Sequence, residues 1–283
     1  MDAVINLLKP PGMTSHDAVS FDRRIYRQKR VGHSGTLDPA APGVLPIYLG
    51  NATRLVEYGE HFDKEYRTEI QFGISTDTGD DTGTILCRKA VDQALLQNLE
   101  SVVSSFLGAY DQIPPMYSAL KVNGRKLYEL AREGIEVERV SRRVEIQSIR
   151  LLHQGDDQAV IHVSCSKGTY IRTLCEDIGV HLGVPATMAF LLRTRVGPFE
   201  IDHASTLEEI TADPQHVLLP TDIAVSHFSA YHFDEQETRY LKQGRSVEPR
   251  PDGLQWAEKT YFRLYSNTGV FFGIGYFSLE TGL

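Results

Sequence analysis

Gly32-His33-Ser34-Gly35-Thr36-Leu37-Asp38-Pro39, continued by Ala40-Ala41-Pro42-Gly43-Val44-Leu45-Pro46, sets one carboxylate in a loop too rich in glycine and proline for a helix or a strand. Gly32, Gly35 and Gly43 open backbone angles closed to other residues, and Pro39 fixes its own φ while biasing Asp38 away from helix. Two readings of Asp38 follow. It opens a turn, as Asp before Pro commonly does, or it is an acid held rigidly for chemistry. The apolar run Val44-Leu45-Pro46-Ile47-Tyr48-Leu49 predicts a strand over 44–49 directly after the loop.

Working outward, residues 3–8 read as a strand ending at the turn Lys9-Pro10-Pro11-Gly12, and Ser15 as the N-cap of a helix over 16–28 with Ala18, Val19, Phe21 and Ile25 on one side. A short helix is expected near 52–58. Lys64 to Ile74 alternates as a strand, with Tyr66, Thr68, Ile70 and Phe72 on one face. Asp77-Thr78-Gly79-Asp80-Asp81-Thr82-Gly83 is a turn, with 84–87 returning as its hairpin partner. Leu95, Leu96, Leu99, Val102, Val103 and Phe106 mark a helix over 92–107 stopped by Gly108. A further helix is expected over 125–132, strands over 142–152 and 158–165, and a helix bearing Ile171, Leu174, Ile178 and Leu182. Hairpins mix with helices and no regular βαβ alternation appears. The fold class is therefore α+β, with a mixed, largely antiparallel sheet flanked by helices.

Beyond residue 225 the texture changes to short aromatic-rich segments such as Val270-Phe271-Phe272-Gly273-Ile274-Gly275-Tyr276-Phe277. Two domains are expected, 1–224 and a small β domain over 225–283.

A chain of 283 residues has length enough for a large core. Cys87, Cys165 and Cys175 show no Cys-x-x-Cys spacing and leave one thiol over in any pairing, so they read as reduced, buried thiols in a cytoplasmic protein. Val4-Ile5-Asn6-Leu7-Leu8 is too short for a signal peptide, and no apolar run has the length of a membrane span. The formal net charge of −8 argues against indiscriminate nucleic-acid binding. Distribution matters more. Arg23, Arg24, Arg27, Lys29 and Arg30 precede the loop with only Asp22 opposing them, a surface suited to phosphates as well as to water. Arg139, Arg142 and Arg143 form a second cluster.

Several chemistries find no support. Asp77, Asp80 and Asp81 lack the ligand spacing of an EF-hand and read as a surface hairpin turn. The histidines form no metal-binding pair or cluster, and neither a Walker loop nor a dinucleotide fingerprint is present. No metal and no cofactor are expected. Ser164-Cys165-Ser166-Lys167-Gly168-Thr169-Tyr170-Ile171-Arg172 joins a strand to a helix and puts Tyr170 and Arg172 in the first turn. A cation is unfavourable there against the helix dipole, so Arg172 either faces solvent or has an anionic partner.

The Gly32–Pro46 stretch resembles the catalytic motif of the TruB family of tRNA pseudouridine synthases. Other segments match in the same order: Leu7-Leu8-Lys9-Pro10-Pro11-Gly12-Met13-Thr14-Ser15-His16, Lys64-Glu65-Tyr66 with Thr76-Asp77-Thr78-Gly79-Asp80, Pro114 to Lys121, and Ser166 to Arg172. Together they span residues 5 to about 199. Ser34 and Pro42 stand where the family usually has Thr, and Leu191-Leu192-Arg193-Thr194 replaces a more usual Leu-Arg-Arg-Thr. The Ser34 change keeps a hydroxyl; the missing Arg at 192 touches one RNA contact.

The resemblance implies a pseudouridine synthase fold with a PUA-like C-terminal domain, and an enzyme that isomerises uridine 55 in the T loop of tRNA. It breaks the N1–C1′ bond, turns the base and forms a C5–C1′ bond. Asp38 is the implied nucleophile or base, and Arg172 its partner. Tyr66 would stack on the uracil and help move the C5 proton, Tyr170 would line the pocket, and Leu191 would wall it. A base inside a folded loop must be flipped out to react; His33 would fill the vacated stack. Lys9 would hold phosphate, with Gly35 and Thr36 also meeting the substrate. The implied partner is the tRNA T arm, with no protein partner, no membrane and a monomeric state. A guide-RNA-dependent synthase, an RNA-binding module without catalysis and a glycosidase with paired carboxylates are the competing functions. The glycosidase would need a second acid near Asp38, where the matching motifs supply Arg and Tyr.

Overall fold

The structure, a computed structural model, describes residues 1–248 and 257–280. A ten-stranded mixed sheet runs through it. Its main path is Leu218–Leu219, Ala3–Lys9, Gly43–Leu49, Ala186–Val196, Lys64–Phe72, Gln158–Cys165, Arg142–Gln154 and Gly108–Gln112. Val31–His33 and Phe199–Glu200 pair off this path, on Gly43–Leu49 and Ala186–Val196 respectively. Pairing is antiparallel throughout except where Ala186–Val196 meets Gly43–Leu49 in parallel, in register at Arg193 and Gly43. That junction joins the two halves of the sheet.

Apolar faces explain the layers. Helix Ile171–Leu182 turns Ile171, Leu174, Cys175, Ile178 and Leu182 into one core with Ile70, Ile161 and Val163. Helix Ser15–Ile25 lays Ala18 and Val19 against Ile5, Leu7, Leu45 and Ile47. Burying each such side chain contributes about 1.5–3 kcal/mol before entropy is counted. Lys64–Phe72 alternates as expected, with Tyr66, Thr68, Ile70 and Phe72 buried. Among the described residues no helix is long and apolar enough to cross a membrane.

Several expectations are corrected. The cap of the first helix is Thr14, not Ser15: Thr14 accepts from the Asp17 amide and the Asp17 carboxylate answers the Thr14 amide, a reciprocal capping box. That helix stops at Ile25, where Arg27 takes a left-handed φ of 48°. The helix over 92–107 is two short helices, Gln93–Leu96 and Leu99–Ser105, and Gly108 opens a strand that periodicity did not signal. Ala186–Val196, central in the sheet, likewise carried no sequence expectation, because register irregularities between Met188 and Phe190 and between Arg193 and Arg195 break its alternation. Cys87 is exposed, whereas Cys165 and Cys175 are buried as free thiols.

A second, three-stranded sheet of Ser229–His232, Tyr261–Tyr265 and Phe271–Tyr276, with helix Glu235–Lys242, forms the small β domain around Phe233, Phe262 and Leu264. Residues 249–256 and 281–283 of the expected 225–283 domain lie outside the described residues. Tyr58 meets the Phe228 and Tyr261 rings edge-on, each at 5.6 Å, which seats this domain on the first.

Candidate active site

The Gly32–Pro39 loop is pinned from beneath by donors that face its carbonyls. Arg193 Nη2 donates to Gly35 O at 2.8 Å and Nη1 to Thr36 O at 3.4 Å. The Ser15 hydroxyl accepts from the Leu37 amide at 2.9 Å and lies 3.2 Å from the Leu37 carbonyl. The Pro39 carbonyl accepts from the Gly12 amide at 2.8 Å and from Lys9 at 3.3 Å. Gly35 has φ +70°, and Gly43, at φ +133°, lies so close to its neighbour that a Cβ there would sit 2.3 Å from the Arg193 carbonyl. Ser34 is buried with its hydroxyl 3.1 Å from Tyr48 Oη, so the hydroxyl kept at this position has a partner.

Asp38 stands out of this frame with its side chain 43% exposed, and Arg172 Nη2 approaches its Oδ2 at 3.4 Å. The Arg172 side chain is only 8% exposed. Its Nη1 donates to Thr78 O at 3.0 Å and its Nη2 to Tyr117 O at 2.8 Å. Nη1 also lies 3.6 Å from Asp80 Oδ2. Two carboxylates and two carbonyls thus offset the cost of a cation at a helix start. The structure brings Asp38 and Arg172 together, 134 positions apart in the chain by their numbering.

Tyr66 lies on Lys64–Phe72 opposite Arg193 of Ala186–Val196, and Leu191 opposite Thr68, so all four share one face of the sheet. Tyr66 and Leu191 belong to one buried cluster with Leu37. Burial pushes the Tyr66 hydroxyl up to about 12, against the lowering effect of Arg193. It therefore stays a neutral phenol with an aromatic face. His33 ends an edge strand, half-buried, with a buried and unpartnered Nδ1; burial, Arg193 and His16 hold it below its ordinary value, so it is neutral at pH 7. Tyr170 occupies the N-cap position rather than the first turn. Gln112 grips its backbone from both sides, accepting from its amide at 2.8 Å and donating to its carbonyl at 3.0 Å.

Lys9 is the correction at this site. It is 0% exposed, and its ammonium donates to the carbonyls of Pro10, Met13 and Pro39 at 2.9, 2.8 and 3.3 Å. Burial, with Arg193 adding to it, brings Lys9 down to about 8. Its ammonium is turned to three carbonyls inside the protein and is not presented to solvent, where a phosphate would lie. By contrast Arg23, Arg24, Arg27, Lys29 and Arg30 are all exposed.

Two residues were missed. Asp80 belongs to a turn, as expected, but its side chain faces inward at 13% exposure and takes the far side of Arg172. The Thr78-Gly79-Asp80 pattern carried that signal: Gly79 has φ +72°, and a Cβ there would lie 2.7 Å from Glu176. Arg193 was legible only as a member of the Leu191-Leu192-Arg193-Thr194 segment, with no role attached to it. Burial also pushes Glu176, beside Arg172, up to about 7.

Two solved structures share this architecture at TM-score 0.72, an H/ACA RNP bound to a substrate RNA containing 2′-deoxyuridine and an archaeal box H/ACA sRNP Nop10-Cbf5 complex. Each match covers 98% of this chain, at 23% and 24% identity and over 78% and 80% of the respective chains, and defines a pseudouridine synthase fold. The family model for the N-terminal domain of TruB family pseudouridylate synthase matches residues 23–171, and that for the tRNA pseudouridylate synthase B C-terminal domain matches 172–226. The tRNA pseudouridine synthase B of Caldanaerobacter subterraneus subsp. tengcongensis is 45% identical over 276 residues, covering 97% of this chain and 95% of that one. The protein of the same name from Clostridium perfringens is 42% identical over 282 residues, again covering 97% and 95%. The chain belongs to the TruB family of pseudouridylate synthases.

Proposed function

We propose that this enzyme pseudouridylates tRNA at uridine 55 of the T loop, with Asp38 as the reacting carboxylate. The observation that carries this reading is the pairing of a half-exposed Asp38 with a buried Arg172, in a loop whose carbonyls are already engaged. The carboxylate is free to move toward a nucleoside while its counter-ion is not.

The uridine is flipped from the T loop into the space above Asp38, at a cost of a few kcal/mol. His33 takes the vacated place in the stack as a neutral ring. Tyr66 presents its face to the uracil and its neutral hydroxyl near Asp38, and Leu191 closes the apolar side. Asp38 then acts on the nucleoside while the N1–C1′ bond breaks and the C5–C1′ bond forms. Tyr170, fixed by Gln112, borders the same pocket. The exposed cluster from Arg23 to Arg30 receives backbone phosphates, so binding weakens with salt although the net charge is −8. The T arm alone supplies the contacts, the enzyme works as a monomer without a protein partner, and its place is the cytoplasm where tRNA matures.

The test is incubation with an unmodified tRNA transcript and mapping of pseudouridine by position. Conversion at uridine 55 that is lost in Asp38→Asn, with T-arm affinity retained, supports the reading. Product at another position overturns the site, and near-normal turnover by Asp38→Asn overturns the role of Asp38.

A further inference from the structure

Arg193 is 1% exposed, and among the described residues no carboxylate lies within ion-pairing distance of it. Burial lowers its own value, and burial, with Arg193 adding to it, brings its neighbours Lys9 and Lys64 down to about 8. Taking a charge out of water costs several kcal/mol, so packing alone gives no reason for an arginine here. Its hydrogen bonds give one. Nε donates to Val44 O at 2.8 Å, Nη2 to Gly35 O at 2.8 Å and Nη1 to Thr36 O at 3.4 Å, and Tyr66 is its cross-strand partner, close enough for the guanidinium to pull the phenol's value down against burial. One planar group thereby ties the strand after the Asp38 loop, the loop itself and the Tyr66 strand.

We infer that Arg193 is a positioning residue that fixes the Asp38 loop and the Tyr66 hydroxyl relative to one another. The guanidinium suits this task because its donors form a rigid fork, whereas an ammonium is a single point with three rotatable donors. The backbone geometry adds to the restraint. Arg193 sits at the parallel register with Gly43, and Gly35 faces its Nη1 so closely that a Cβ would lie 3.3 Å away. A shift of the guanidinium therefore moves the carbonyls of Gly35 and Thr36, three and two positions before Asp38. This inference rests on the proposed roles of Asp38 and Tyr66.

The test is a double-mutant cycle of Arg193→Gln and Arg193→Lys with Tyr66→Phe. Single-turnover rate on tRNA transcript, T-arm affinity and melting temperature are measured for each variant. Arg193→Gln is expected to bind the T arm within about threefold of wild type and to react about 100-fold more slowly, the scale of a misplaced catalytic group. Arg193→Lys is expected to recover about tenfold of that, since an ammonium reaches some of the same carbonyls. In the Tyr66→Phe background the Arg193→Gln loss should shrink to about tenfold, because part of it runs through the Tyr66 hydroxyl.

Losses that multiply independently, or a rate for Arg193→Gln within threefold of wild type, overturn the inference. If Arg193→Gln does not fold, the cycle with Arg193→Lys decides by the same coupling. Wild-type product mapped in the same assay keeps the two readings apart. Modification at another position defeats the uridine 55 assignment and leaves the Arg193 comparison standing.

Discussion

Arg172 reaches Asp38 at 3.4 Å from a position 8% exposed, while Asp38 itself is 43% exposed. The cation is anchored by the carbonyls of Thr78 and Tyr117 and by Asp80, so the acid is the more exposed and less tied member of the pair. Arg172→Ala should therefore lower turnover by about 100-fold or more, equivalent to about 2.7 kcal/mol, without a comparable loss of T-arm binding. Single-turnover kinetics beside a filter-binding titration check this. An unchanged rate would mean that Asp38 has another partner.

Asp80 holds Arg172 from the side opposite Asp38. Asp80→Asn keeps the shape and removes the charge, leaving Arg172 to Asp38 and the carbonyls of Thr78 and Tyr117. Turnover should fall about tenfold, between the wild type and Arg172→Ala, in line with the loss of one charge-assisted contact. A rate equal to wild type would reduce Asp80 to a turn former.

Lys9 and the Arg23–Arg30 cluster should separate cleanly in a salt titration. Arg23→Ala and Arg24→Ala each remove an exposed cation and should lower the slope of log affinity against log salt by about 1. Lys9→Met should leave that slope unchanged. It strips a donor from the carbonyls of Pro10, Met13 and Pro39, so the melting temperature should fall, by a margin of about 2 kcal/mol. A shallower salt slope in Lys9→Met would return Lys9 to the RNA surface.

Asp22 predicts a pH dependence of stability. It is 0% exposed, neither carboxylate oxygen has a hydrogen-bond partner, and burial raises it to about 7. Unfolded Asp titrates near 3.9, so between about pH 4 and 7 the folded state binds more protons than the unfolded one. Stability then falls as pH rises through that window and levels off above it. Glu176 and Asp177, raised by burial to about 7 and about 6, act in the same direction. Lys9 and Lys64 act later: their folded values near 8 make stability recover as pH rises from about 8 to 10. Melting curves of wild type and Asp22→Asn between pH 5 and 8 should diverge, the variant losing less by about 5 °C or more. Parallel curves would show that Asp22 is not buried as a neutral acid.

What the sequence determined by itself was local. Alternation placed Lys64–Phe72, and the glycines and prolines of 32–46 announced a stiff loop around Asp38. Five ordered motifs pointed to the family. An arginine set against the dipole at the start of Ile171–Leu182 left two readings, solvent or an anionic partner. Each is a property of neighbours in the chain, where spacing and backbone angles decide.

Only the tertiary structure decided which charges are buried and what they face. Lys9 and Arg23 look alike as cations in a sequence, yet one is enclosed by carbonyls and the other is exposed. Asp80 looked like a turn residue because its second role exists only once Arg172 comes to it. Arg193 became visible when Ala186–Val196 paired with both Gly43–Leu49 and Lys64–Phe72. The energy of a charge depends on its dielectric surroundings and on partners more than a hundred residues away, and both are set by how the sheet closes.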